Sequence, residues 1–297
     1  MRRALAAILA LTAVVSAACR GDSSGASGKV GVAAAFYPIA FAAERVGGAR
    51  VDVANLTPVG AEPHDLELTP DQLDELLDAR VAFVLGGDFQ PAVEDAADRR
   101  DGLTVELLPE VVGAGDERTE DPHVWLDPVL MAELVGEVER GLARTDRKGA
   151  TTYRRNASEL RGELAALDTR YRERLSGCSR DLLVTSHESF GHLASRYGLR
   201  QEGVAGLSPD AEPDPARLGE LAQLARDQGV TTVFTEETVS PRIARTVARE
   251  AGGLRTEVLS PLESLTEKER DDGADYFTVM ETNLDKIATA LGCPSRP

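Results

Sequence analysis

Three histidines stand in settings that suit a metal: His64 within Glu62-Pro63-His64-Asp65, His123 within Asp121-Pro122-His123-Val124-Trp125-Leu126-Asp127-Pro128, and His187 within Thr185-Ser186-His187-Glu188. The chain has 297 residues and only four histidines, so these three are a concentrated supply of one ligand type. Imidazole is the commonest protein ligand of zinc, and three imidazoles leave one place of a tetrahedron to fill. The intervals between them are far too wide for a zinc finger, so folding has to bring them together. The fourth histidine, His192, would lie about 140° around a helix from His187. It reads as a packed or hydrogen-bonded residue, and Glu188 as a residue of a helix's first turn.

Elements able to position the histidines come in two similar blocks. In the first, short β-branched runs at Val30–Ala33, Val51–Leu56, Val81–Leu85 and Leu103–Leu107 alternate with helical stretches near Pro38–Val46, Pro70–Ala79, Pro91–Arg99 and Val129–Leu142. In the second, strands near Leu182–Thr185, Gln201–Val204, Thr231–Thr235 and Thr256–Leu259 alternate with helices near Glu188–Tyr197, Pro215–Gln228, Pro241–Ala251 and Ala274–Leu291. Such alternation implies parallel sheets flanked by helices, hence an α/β protein of two lobes. Thr69-Pro70 and Ser240-Pro241 each place a capping hydroxyl before a first-turn proline.

Between the blocks runs the clearest helix, about Thr151 to Ser176. Its apolar residues Tyr153, Ala157, Leu160, Leu164, Leu167, Tyr171 and Leu175 form one stripe, and Gly177 supplies the stop. A helix near 40 Å long could cross both lobes as a stiff link. The same rhythm suits a coiled coil, but in a βα chain it packs on its own lobes, which favours a monomer. The divisions expected are 29–147 and 178–297 for the lobes and 148–177 for the linking helix.

The N-terminus bears on where the chain works. Met1-Arg2-Arg3 precedes an apolar run from Ala4 to Ala18, too short to span a bilayer and typical of a signal peptide, 1–18. Ser16-Ala17-Ala18-Cys19 resembles a bacterial lipobox, with Cys19 lipidated and 19–28 a Gly/Ser-rich tether to the membrane. In such an oxidising compartment the remaining cysteines, Cys178 and Cys293, read as a disulfide. A formal net charge of −17 argues against nucleic acid as a partner.

Taken in order, these segments resemble the metal-binding proteins of bacterial zinc- and manganese-type ABC transporters. The resemblance runs from about Lys29 to Leu291. It is carried by Gly60-Ala61-Glu62-Pro63-His64-Asp65-Leu66-Glu67-Leu68-Thr69-Pro70, by the segment around His123, and by Thr185-Ser186-His187-Glu188-Ser189-Phe190-Gly191 with Arg196-Tyr197-Gly198-Leu199. Phe234-Thr235-Glu236 before Ser240-Pro241, and Tyr276 through Asn283-Leu284, extend it. The resemblance implies two α/β lobes bridged by one long helix, with metal in the cleft on His64, His123 and His187. It also implies a permease and its ATPase as partners, and no catalysis.

Each histidine is expected just after a strand, where open α/β sheets bind ligands. The family's fourth ligand is commonly an Asp, yet Ser260 stands at that position here. Water, Glu263 or, less well placed, Glu236 could substitute. Many zinc-type members carry a histidine-rich loop, whereas Gly113–Glu120 is short and has no histidine. Three neutral imidazoles favour Zn2+ over Mn2+ or Fe2+, which prefer more oxygen. A zinc hydrolase is the rival class, since catalytic zinc also takes three protein ligands, but no HExxH helix is present. An adhesin is a third reading.

Overall fold

Hydrophobicity along the strands dictates their order in space. The computed structural model describes residues 28–113, 120–209, 215–236 and 240–294. The expected signal peptide, Cys19 and nearly all of the tether lie outside the described residues.

The first block forms β1 (Val30–Ala34), α1 (Tyr37–Gly47), β2 (Val51–Asn55), α2 (Pro70–Asp78), β3 (Val81–Val84), α3 (Pro91–Ala97), β4 (Leu103–Glu106), α4 (Leu108–Val112) and α5 (Pro128–Thr145). Its sheet is fully parallel, in the order β2-β1-β3-β4. The two inner strands are nearly all apolar, and β3 (Val-Ala-Phe-Val) is buried throughout. The outer strands carry Asp52 and Glu106 at exposed positions. A parallel strand with helices on both faces has no wet side, which is why the inner strands read as unbroken hydrophobic runs.

The second block repeats the plan after the long helix α6 (Ala150–Arg174). It comprises β5 (Leu182–Thr185), α7 (Gly191–Arg196), β6 (Arg200–Gly203), α8 (Pro215–Asp227), β7 (Thr232–Thr235), α9 (Arg242–Glu250), β8 (Arg255–Val258), α10 (Glu267–Asp271) and α11 (Tyr276–Leu291). The order β6-β5-β7-β8 matches the first sheet, again with buried centres and polar edges. Among the described residues no helix is long and apolar enough to cross a membrane.

Helix α6 buries the expected stripe of Tyr153, Ala157, Leu160, Leu164, Leu167 and Tyr171. At its start Asn156 donates to the carbonyl of Val46 at the end of α1. Near its other end the Tyr171 hydroxyl donates to the Met280 carbonyl of α11 at 2.7 Å. One continuous core includes residues of both blocks and this stripe, so the helix is embedded along its length. Cys178, just past α6, is disulfide-bonded to Cys293, just past α11.

Three local expectations need correction. Helix α7 starts at Gly191, not Glu188, because the preceding backbone bonds elsewhere. The Glu188 N–H donates to Gly206, and the His187 carbonyl accepts from Thr185 and Gln201. Glu188 is therefore not a first-turn residue. Helix α9 starts at Arg242 with Pro241 at its cap position, so no side-chain hydroxyl caps it. At Thr69, by contrast, a full capping box forms with Gln72. Finally, α4 and a 3-10 turn (Val124–Leu126), neither expected, separate β4 from the start of α5, so His123 does not directly follow a strand.

Candidate metal centre

Each of the three histidines reaches the cleft by a different route. His64 lies midway along the loop between β2 and α2. His123 caps the turn Val124–Leu126 that leads into α5. His187 follows β5 by two residues, on backbone held by Gln201 and Thr185. Glu263 comes from the loop between β8 and α10. That loop is clamped by Asn283 of α11, whose amide oxygen accepts from Ser260 N–H at 3.1 Å while its NH2 donates to the Ser260 carbonyl at 2.7 Å. From the other lobe, Trp125 donates to the Pro261 carbonyl at 2.7 Å, and Tyr276 donates to the Trp125 carbonyl at 2.6 Å. Leu262 then takes a left-handed backbone, φ 56°, in a fully buried position. That conformation is costly for a branched residue, and here it is held by its surroundings.

Four donor atoms converge as a result. Glu263 Oε1 lies 3.5 Å from His64 Nε2, 3.5 Å from His123 Nε2 and 3.3 Å from His187 Nε2, and the last two nitrogens are 3.3 Å apart. All four atoms fall within 4.8 Å of one another. Donors at ~2.0–2.1 Å around a tetrahedral ion are separated by about 3.3–3.4 Å, so four of the six edges already have the dimensions of a zinc site. The two edges from His64 to the other histidines are the ones left to tighten.

The partners of these atoms point the same way. Among the described residues, His64 Nε2 and both oxygens of Glu263 are buried without a hydrogen bond. Native proteins rarely leave buried polar atoms in that condition unless a water or ion satisfies them. The far ring nitrogens are occupied: His123 Nδ1 contacts Asp121 Oδ1 at 2.7 Å, and His187 Nδ1 contacts Glu236 Oε2 at 2.8 Å. A carboxylate there fixes the Nδ1–H tautomer and turns the Nε2 lone pair toward the shared centre. Phe36, Phe89 and Trp125 form a mutually packed aromatic wall, with Phe89 against His64 and Trp125 against His123.

Electrostatics without an ion show what a cation would replace. Burial pulls the His187 imidazole down, but Glu236 and Glu263 outweigh it and hold its pKa at about 10. His123 is likewise raised against its burial, chiefly by Asp121 and Glu263. Burial pushes Glu263 up, yet the facing imidazoles of His123, His187 and His64 hold it well below the usual carboxylate range. Protonated His123 and His187 beside an ionised Glu263 make a cluster whose protons can be exchanged for a divalent cation.

The structure thus brings His64, His123 and His187 together, with Glu263 as the fourth member of the cluster. Ser260 stays outside the cluster, with its hydroxyl accepting from Leu262 N–H. Glu236 serves His187 rather than the shared centre. His192 bonds the Asp121 carbonyl at 2.9 Å, outside the donor set. The support from Asp121 was not anticipated, although its place two residues before His123 is the only local hint in the sequence.

A bilobed α/β chain with a stiff connecting helix and a buried His3Glu donor set in its cleft belongs to the class of metal-binding proteins. Residues 32–290 match the family model of the zinc-uptake complex component A, periplasmic, and the chain is a member of that family. It is 35% identical over 303 residues to the zinc-binding lipoprotein AdcA of Streptococcus pneumoniae TIGR4, covering 96% of this chain but 60% of that one. It is 32% identical to the high-affinity zinc uptake system protein ZnuA of Bacillus subtilis 168, covering 96% and 95%. The crystal structure of the Zn(II)-bound ZnuA-like domain of S. pneumoniae AdcA superposes with a TM-score of 0.75 at 33% identity, over 89% of this chain and all of that domain.

Proposed function

We propose that this protein captures one zinc ion between His64, His123, His187 and Glu263 and delivers it to the permease of an ABC importer, working outside the cytoplasm from a lipid anchor on Cys19. The observation that carries this reading is the convergence of four buried donors, four of their six separations at the edge length of a zinc tetrahedron and two of the donors, His64 Nε2 and Glu263 Oε1, without a hydrogen bond. Three imidazoles and a single carboxylate oxygen favour Zn2+ over Mn2+ or Fe2+, whose sites are richer in oxygen. Supply to an importer is supported by membership of a zinc-uptake family and by the name of the B. subtilis relative, a zinc uptake system protein.

The donor set also weighs against the hydrolase reading. Catalytic zinc keeps one position open for water, whereas here a fourth protein group, clamped by Asn283, points into that position. The test is competition titration of the mature chain against a chromophoric zinc chelator. One zinc per chain is expected, with severe weakening when any one of His64, His123, His187 or Glu263 is replaced by Ala. Tight binding retained by the triple histidine replacement would refute the assignment.

A further inference from the structure

Zinc must reach a centre that is almost sealed, with partly exposed carboxyl groups beside it at Glu62, next to His64, and at Asp121, next to His123. Side-chain exposure is 0% at His123 and His187, 1% at Glu263 and 9% at His64, but 20% at Glu62. Glu62 Oε1 lies 4.0 Å from His64 Nε2 and accepts the backbone N–H of His64 at 3.2 Å. Glu62 therefore presents a carboxyl group that touches both solvent and the donor set, and it is tied to the residue that presents one donor.

His64 also differs from its two partners. His123 and His187 are each locked by a carboxylate on the far ring nitrogen, whereas the His64 ring rests edge-on against Phe89, with centroids 4.4 Å apart. Its loop, between β2 and α2, is the longest described connection within the first lobe, and His64 is the donor whose distances to the other histidines have yet to tighten.

We infer that Glu62 and His64 form a two-donor clip on this loop, which takes the ion from solvent before the buried donors close around it and holds it again as it leaves. The inference rests on the reading of the four donors as a zinc site. A nitrogen and an oxygen each bound at ~2.0–2.2 Å to one ion are held about 3–4 Å apart, so the observed pair needs only a small closing movement to share it. The steps are ligand exchanges: Glu62 and His64 displace two waters from the hydrated ion, and His123, His187 and Glu263 then displace the remaining waters and Glu62. Nothing is oxidised; each displaced water, and each proton that an imidazole gives up to bind the ion, goes to solvent.

Stopped-flow mixing of zinc with the metal-free mature chain, and of the loaded chain with excess chelator, tests this with Glu62→Gln. The amide oxygen of Gln can still accept the His64 N–H, but it is a poor zinc ligand. Association and dissociation are both expected to slow by about tenfold, with Kd changed by less than about threefold. Asp65→Asn makes the same carboxyl-to-amide change at an exposed position on the same loop and is expected to keep both rates within about twofold. The clip is refuted if Glu62→Gln keeps wild-type rates, if Asp65→Asn slows binding equally, or if only dissociation accelerates. Failure of the wild-type chain to bind zinc would instead bring down the zinc reading beneath it.

Discussion

At the scale of single residues, Glu263 and the carboxylates behind the histidines make separable contributions. Asp121→Ala and Glu236→Ala keep the ligand nitrogens but remove the acceptor that orients each ring, and each is expected to weaken zinc binding by about 10–100-fold. Glu263→Ala removes a ligand atom and is expected to cost more than either in the same competition titration. His192→Ala, whose ring meets Asp121 at its carbonyl and, at 3.7 Å, its carboxylate but none of the four donors, is expected to fall below both.

Protons compete at this same scale. In the metal-free chain His187 keeps its proton up to about pH 10, well above the ordinary histidine value of ~6.5. A raised pKa means that the ion pair with Glu236 and Glu263 stabilises the metal-free fold fully below ~6.5, and that this stabilisation fades as pH rises through about 10. Zinc needs the neutral ring, so its affinity should keep rising above pH 7 instead of levelling near the ordinary histidine value. Calorimetric titration at pH 7.5 in buffers of different ionisation enthalpy should show about one or more protons released per zinc. Release of none would contradict the charged cluster.

At the scale of elements, the loop between β8 and α10 shows what the sequence could and could not reveal. The inner strands were legible because burial on both faces demands unbroken apolar runs, and α6 because its stripe is long. Helices α4 and α10 were not, being five residues each and too short to display a period. The fourth donor was ambiguous for a related reason. Nothing local in Ser260-Pro261-Leu262-Glu263 tells which residue faces the cleft, because the answer depends on Asn283, on Trp125 and on the left-handed turn at Leu262. Asn283→Ala should remove two buried hydrogen bonds, lowering stability by about 1–3 kcal/mol in denaturant melts and loosening zinc binding through Glu263. Ser260→Asp, in contrast, should add no ligand. It buries a carboxylate where a hydroxyl accepts from Leu262, so a lower Tm without tighter zinc binding is expected.

At the scale of the whole molecule, several ties hold the lobes around the donor set, among them the shared core along α6, the Trp125 bond to the Glu263 loop, and the pairing of Arg196 in α7 with Asp127, which caps α5. A single embedded helix and cross-cleft bonds favour small adjustments of loops over wide opening of a hinge. The disulfide adds a covalent tie around the second lobe, closing a loop with a sequence separation of 115 residues. Cys178→Ser with Cys293→Ser is expected to lower stability by about 4–5 kcal/mol in the chain-entropy account, seen as a reduced denaturant midpoint. Zinc stoichiometry should stay at one, because neither cysteine lies in the donor set.

The zinc coordination shell itself can be read directly by X-ray absorption at the zinc edge on the loaded mature chain. The expected spectrum has four nitrogen or oxygen scatterers at ~2.0–2.1 Å, with outer-shell scattering from three imidazole rings, and it loses one ring when His64 is replaced by Ala. Sulfur scatterers near ~2.3 Å, or a six-coordinate oxygen shell with no imidazole signal, would contradict the His64–His123–His187–Glu263 site.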